Sequence, residues 1–63
     1  MKFSQGQLVQ FNYTDRYGKM TRLRRVIVKS VNEHNSTILC FDARRLTYRR
    51  FRLGKIKSAK VLV

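Results

Sequence analysis

The residues with the clearest chemistry in this chain are its arginines and lysines. The 63 residues include 15 Lys and Arg against three acidic residues, a net charge of +12. Guanidinium groups match phosphate oxygens, and so strong an excess of one sign attracts polyanions. The cationic candidates for binding nucleic acid are Arg22, Arg24, Arg25, Arg44, Arg45, Arg49, Arg50, Arg52 and Lys55. The alternative is a charged surface that only keeps a small protein soluble, but such surfaces normally mix both signs, which favours binding.

Two tyrosines are candidates for stacking on nucleic-acid bases. Tyr48 alternates in phase with Arg50 and Arg52, so a base can stack on its ring while the two arginines hold the flanking phosphates. An ordinary cross-strand aromatic contact is the alternative. Tyr13 is the second candidate; it shares a face with the other apolar residues of its segment, so packing in the core is its other interpretation.

Patterns for catalysis or metal binding are missing from the sequence. The three acidic residues are scattered among turn segments and form no carboxylate pair for general acid–base work. One histidine, His34, and one cysteine, Cys40, do not make a zinc site. The sequence predicts a protein that is not an enzyme and that uses no cofactor and no metal.

The single cysteine also bears on the compartment. Cys40 has no partner for an intrachain disulfide, which is typical of proteins in a reducing environment. The opening segment, "MKFSQGQLVQF", has no apolar run long enough for a signal peptide, and no segment is long and apolar enough to span a bilayer. We expect a cytoplasmic protein that does not bind membranes.

Residue alternation predicts five strands and no long helix. The predicted strands are residues 7–14, 19–31, 36–42, 46–53 and 55–63, with turn residues such as Asp15 and Gly18 between them. The second strand changes its apolar face midway, which predicts a bulge or sharp bend. The predicted aromatic core residues are Phe11, Phe41 and Phe51. The fold class we expect is all-β: a small five-stranded antiparallel barrel of the SH3 or Sm type, forming one domain over residues 1–63.

From residue 7 onward the pattern resembles a WYL domain. "VQFNYTDRYGKMTRLRRVIV" is similar to the first strand and the Arg- and Val-rich segment of that family, "STILCFD" to its middle strand, and "FRLGKIKSAKVL" to its closing motif. The three residues that name the family are replaced here by Ser36, Thr37 and Ile38, and an acidic residue of the closing motif by Gly54. The resemblance implies an Sm-like barrel that binds polyanions, with Tyr13 and Arg52 at matching positions.

Together these features predict a small nucleic-acid-binding module. The ligand is DNA or RNA, single-stranded or recognised with little sequence preference, and the role is regulatory. An adaptor or inhibitor that docks on an acidic protein partner is the second hypothesis, since the same cations serve both. A nucleotide sensor follows from the resemblance alone. Exposed edge strands would also permit a homo-oligomer.

Overall fold

Alternating apolar and polar residues place five strands in one antiparallel sheet. The computed structural model describes residues 3–63. Its elements are β1 (Leu8–Thr14), β2 (Met20–Asn32), β3 (Thr37–Asp42), β4 (Thr47–Arg52), a 3-10 turn (Leu53–Lys55) and β5 (Ile56–Val61). The all-β class and the five antiparallel strands are confirmed. Met1 and Lys2, the start of the segment considered as a signal peptide, lie outside the described residues. Within residues 3–63, no helix is long and apolar enough to cross a membrane.

The sheet is curled, but hydrogen bonds between strands do not close it into a complete barrel. The strand order is β4-β3-β2-β1-β5, so β4 and β5 are the two edges. A side chain bridges part of the gap: the Tyr13 hydroxyl on β1 accepts a hydrogen bond from the backbone N–H of Arg52 on β4, at 3.1 Å. The 3-10 turn carries the chain from one edge to the other.

The bulge predicted in the second strand is confirmed. Phe11 pairs with Arg24 and Tyr13 pairs with Thr21, so β2 holds an extra residue between these two pairs. Leu23 lies in this interval with φ of 54°, a left-handed conformation that β-strands do not use. The register also shifts between Val28 and Ser30 of β2, and between β1 and β5. Bulges bend and twist a strand, which accounts for the curl of the sheet.

One face of the sheet forms the core, and three aromatic rings lie at its centre. Phe11, Tyr13 and Phe51 pack edge to face, with ring centroids 4.9 to 6.3 Å apart. The buried hydrophobic residues are Phe3, Val9, Phe11, Tyr13, Val26, Val28, Ile38, Cys40, Phe51 and Ile56. The prediction of Phe41 as a core residue is wrong. In β3 the residues that face the core are Ile38, Cys40 and Asp42, so alternation puts Phe41 on the outer face.

Burial gives Cys40 a pH-dependent effect on stability. Loss of hydration raises the pKa of its thiol from 9.0 to about 12. Below pH 9 the thiol is protonated in both the folded and the unfolded chain. As the pH rises from 9 towards 12, only the unfolded chain ionises, and the folded state loses stability.

We therefore expect the free energy of unfolding to fall relative to that of Cys40→Ala by about 1.4 kcal/mol per pH unit in this range. Urea denaturation of both proteins between pH 8 and 11 measures this difference. A difference that does not change with pH would contradict the burial of an un-ionised thiol.

Candidate nucleic-acid interface

A buried ion pair links β2 to the end of β3. Nη1 of Arg24 lies 3.4 Å from Oδ2 of Asp42, and the two side chains are 8% and 4% exposed. The bulge at Leu23 brings Arg24 into phase with Val26 and the rest of the inward face. The structure therefore places Arg24 in a buried ion pair, apart from the exposed arginines with which it was predicted to bind phosphate.

The same carboxylate holds the turn between β3 and β4. Oδ1 of Asp42 accepts hydrogen bonds from the backbone N–H groups of Arg44 and Arg45, at 3.1 and 3.4 Å. An aspartate that opens a turn commonly bonds to the backbone two and three residues later. Asp42 therefore fixes the position of two exposed arginines while its other oxygen pairs with Arg24.

Positive charge remains in excess around this pair. Burial is the main cause that lowers the pKa of Arg24 below its ordinary value; the nearby charges of Arg49 and Arg45 lower it further, and Asp42 opposes them. Among the described residues, Nε of Arg24 is buried without a hydrogen-bond acceptor. The guanidinium groups of Arg24 and Arg49 lie 5.4 and 5.7 Å from the centre of the same ring, that of Phe51.

An open groove lies along β2 beside the β3–β4 turn, and residues from both faces of the sheet line it. Its volume is about 680 Å³, within the usual range for ligand sites. Apolar side chains of Leu8, Ile27 and Phe41 line it together with four exposed arginines, Arg22, Arg25, Arg44 and Arg45. Nε of Arg25 donates to Oε1 of Gln10 at 2.8 Å, which fixes the stem of this arginine. We call this feature the basic groove.

An apolar stripe crosses the sheet at the groove. Tyr48 pairs with Phe41, Phe41 with Ile27, and Ile27 with Leu8, so these four outward residues follow one another across β4, β3, β2 and β1. The rings of Phe41 and Tyr48 pack edge to face at 5.2 Å. Tyr48 is 56% exposed, so a part of its ring remains accessible.

The predicted site residues on β4 do not form one group. Tyr48, Arg50 and Arg52 share the outer face, as predicted, but Arg49 points to the opposite side, above Phe51. β3 lies between β2 and β4, so the arginines of these two strands do not line one groove; the groove that is present lies between β2 and the β3–β4 turn. Tyr13 is in the core, 9% exposed, so its ring cannot stack on a base.

Lys55 lies on another side of the molecule. It belongs to the 3-10 turn, and its charge reaches Asp15 in the β1–β2 turn. The pKa of Asp15 is lowered mainly by the hydrogen bond from the Lys19 backbone N–H, with smaller contributions from Tyr17 N–H and from the charges of Lys19 and Lys55. Lys55 is not among the residues that line the basic groove.

Sequence reasoning missed the apolar part of the groove. Leu8, Ile27 and Phe41 were not candidates, because apolar residues in short strands are assigned to the core by default. A signal was present in β3, which is apolar on both faces although it belongs to a single sheet. Apolar residues on both faces of such a strand indicate that its second face is exposed or is covered by a ligand.

Comparisons of the chain with models of known protein families, with curated proteins and with solved structures find no match. The resemblance to a WYL domain therefore stays a prediction. At the positions that name that family, Ser36 ends the β2–β3 turn, Thr37 faces outward and Ile38 is in the core.

The ion pair makes a prediction about stability. We expect Arg24→Met to lower the free energy of unfolding by about 3 kcal/mol, because it leaves the buried carboxylate of Asp42 without a partner. The double variant Arg24→Met with Asp42→Asn removes that charge and keeps an oxygen for the turn. Its loss should be at least 1 kcal/mol smaller than the sum of the two single losses.

Urea denaturation of the four proteins measures this coupling. Arg22→Met is the control, since Arg22 is exposed, and we expect its stability to stay within about 0.5 kcal/mol of the parent. Additive effects of the Arg24 and Asp42 changes would show that the two groups do not interact.

Proposed function

We propose that this protein binds single-stranded nucleic acid, DNA or RNA, with little sequence preference and without catalysis. The observation that supports the proposal is the basic groove, where four exposed arginines surround an apolar surface next to the accessible ring of Tyr48. Bases are flat and apolar on their faces, whereas their backbone is anionic. A surface that offers both chemistries side by side suits a strand whose bases are unstacked.

The apolar stripe favours single strands over duplexes. In a duplex the faces of the bases are covered by their neighbours, so a duplex would meet Leu8, Ile27, Phe41 and Tyr48 mainly with its charged backbone. An unpaired strand can place a base on Tyr48 and its phosphates on the arginines. Stacking on an aromatic ring contributes about 1–3 kcal/mol per base and depends little on base identity.

The role we propose is regulatory and cytoplasmic. The regulatory part is implied by the resemblance to WYL domains, and the cytoplasm by the single, buried and unpaired Cys40. A nucleotide sensor of the WYL type has less support, because Ser36 and Thr37 provide no large aromatic for a pocket. A protein adaptor would use the same arginines to dock on an acidic partner.

The proposal predicts a change in salt dependence. Replacing Arg22, Arg25 and Arg44 by Gln removes three phosphate contacts, so the slope of log affinity against log salt should decrease by about 2 units on single strands. Fluorescence anisotropy with a labelled oligonucleotide at several salt concentrations measures the slope. The matched control replaces Arg16, Lys19 and Lys55, which do not line the groove, by Gln as well. This control should keep most of the parent's salt slope.

Equal slopes in the two triple variants would refute the groove as the interface. Binding of oligonucleotides only at millimolar concentrations, together with a protein that stays attached to the chain after nuclease treatment, would support the adaptor instead. Tighter binding of a duplex than of a single strand would contradict the role of the apolar stripe.

Stacking on Tyr48 makes a separate prediction. Tyr48→Ala should weaken the binding of a single strand by about 1–3 kcal/mol, with an unchanged salt slope because no charge is lost. Tyr17→Ala is the matched control, since Tyr17 is a tyrosine that is 81% exposed in the β1–β2 turn. Equal losses in the two variants would show that Tyr48 does not stack on a base.

A further inference from the structure

Positive charge is concentrated where the basic groove meets the β3–β4 turn. The charges of Arg49 and Arg45 both lower the pKa of Arg24, and within residues 3–63 Asp42 is the carboxylate that opposes them. Arg24, Asp42 and Arg45 line the groove. Arg49 is not part of the lining; its guanidinium lies over the Phe51 ring, as does that of Arg24, on the inner side of β4. We call these four residues the arginine cluster. Its net charge is +2.

An unused hydrogen-bond donor lies in the same cluster. The side chain of Arg24 is only 8% exposed, yet within residues 3–63 its Nε has no hydrogen-bond acceptor. Nη1 and Nη2 of this arginine are each 3.4 Å from their acceptors, on Asp42 and Thr21, which is long for charged hydrogen bonds. The guanidinium therefore has one buried N–H without an acceptor and two long hydrogen bonds.

Charge and donors together indicate the kind of anion that fits. A phosphodiester carries one negative charge, whereas a phosphomonoester carries nearly two at neutral pH and offers three oxygen acceptors. Arg45 and Arg49 can each hold one of those oxygens with a guanidinium fork, and the buried charge of Arg24 adds to the attraction. A dianion matches the excess of two positive charges at the cluster.

We propose that the arginine cluster binds a phosphomonoester, either the terminal phosphate of a bound strand or that of a free nucleotide. The first source rests on the proposed function, since it makes this protein a reader of phosphorylated strand ends. The rest of the strand then follows the basic groove, whose lining joins Arg24 and Arg45 to Phe41 and Ile27 of the apolar stripe. The ligand class is distinct from the internal phosphodiesters that Arg22, Arg25 and Arg44 contact.

The test compares strand ends. Eight-nucleotide single strands of one sequence are prepared with a phosphate or a hydroxyl at the 5′ end, and a second pair with these groups at the 3′ end. The fluorophore is always on the opposite end. We expect a phosphate on one of the two ends to tighten binding about tenfold at pH 7.5, and this preference to shrink below pH 6, where the monoester takes up a proton.

Variants locate the effect. Arg49→Gln should remove most of the preference for the phosphorylated end while the binding of the hydroxyl-ended strand changes little, since Arg49 does not line the groove. Arg45→Gln should remove the preference as well, and should also weaken the hydroxyl-ended strand, because Arg45 lines the groove. Lys55→Gln removes the same charge outside the groove and should retain the full preference. Adenosine monophosphate against adenosine, followed through the NMR signals of the Arg44 and Arg45 amides, tests the free nucleotide as the source.

Each outcome decides a different point. Strong binding with equal affinity for both kinds of end overturns the inference and leaves the proposed function intact. A preference that survives in Arg45→Gln and Arg49→Gln overturns the location. If no oligonucleotide binds, the proposed function fails; amide shifts with the nucleotide but not with the nucleoside then keep the phosphomonoester site, and equal or absent shifts reject it.

Discussion

The buried pair of Arg24 and Asp42 is the contact on which the candidate interface depends. It joins the bulged part of β2 to the end of β3, and the same aspartate holds the backbone of the turn that carries Arg44 and Arg45. A buried ion pair adds little net stability over an apolar pair of the same size, but loss of one partner is costly. In this protein its clearest consequence is geometric: it sets where the turn lies relative to the arginines of β2.

A single small sheet determines what the rest of the surface can be. One curled layer of five strands encloses one core face, built around Phe11, Tyr13 and Phe51. Within the described residues no second layer covers the outer face of β3. Leu39 and Phe41 therefore remain half-buried at the surface, next to the exposed Tyr48. Exposed apolar surface of this kind commonly marks a binding site.

The net charge of the chain and the apolar stripe on its outer face would both be affected by a bound polyanion. A net charge of +12 on 63 residues works against a compact state through self-repulsion. Within the described residues only one ion pair offsets it, and that pair is buried. A bound polyanion would relieve the repulsion and cover the apolar stripe at the same time. A ligand that binds only the folded chain also stabilises it, so binding and folding should be thermodynamically linked.

The sequence by itself determined the strands, the turns and the sign of the surface charge. Each of these depends on neighbours along the chain: alternation in β1, Asp15 and Gly18 in the first turn, and the change of phase in β2 that indicates a bulge. Sequence also placed Tyr48, Arg50 and Arg52 on one face, because β4 contains no bulge in its pairing with β3.

Only the tertiary structure decided which arginines can meet a ligand. Arg24 and Arg22 have the same side chain and are two residues apart, yet one is buried and the other exposed, because a bulge and a carboxylate 18 residues away select the inward position for Arg24. Tyr13 lies in the core, where its ring packs against that of Phe51. Phe41 lies on the outer face, because its neighbour Asp42 points inward and successive residues of a strand alternate between the two faces. Partners distant in sequence made these choices, and the pattern of residues along the chain does not contain the distances between them.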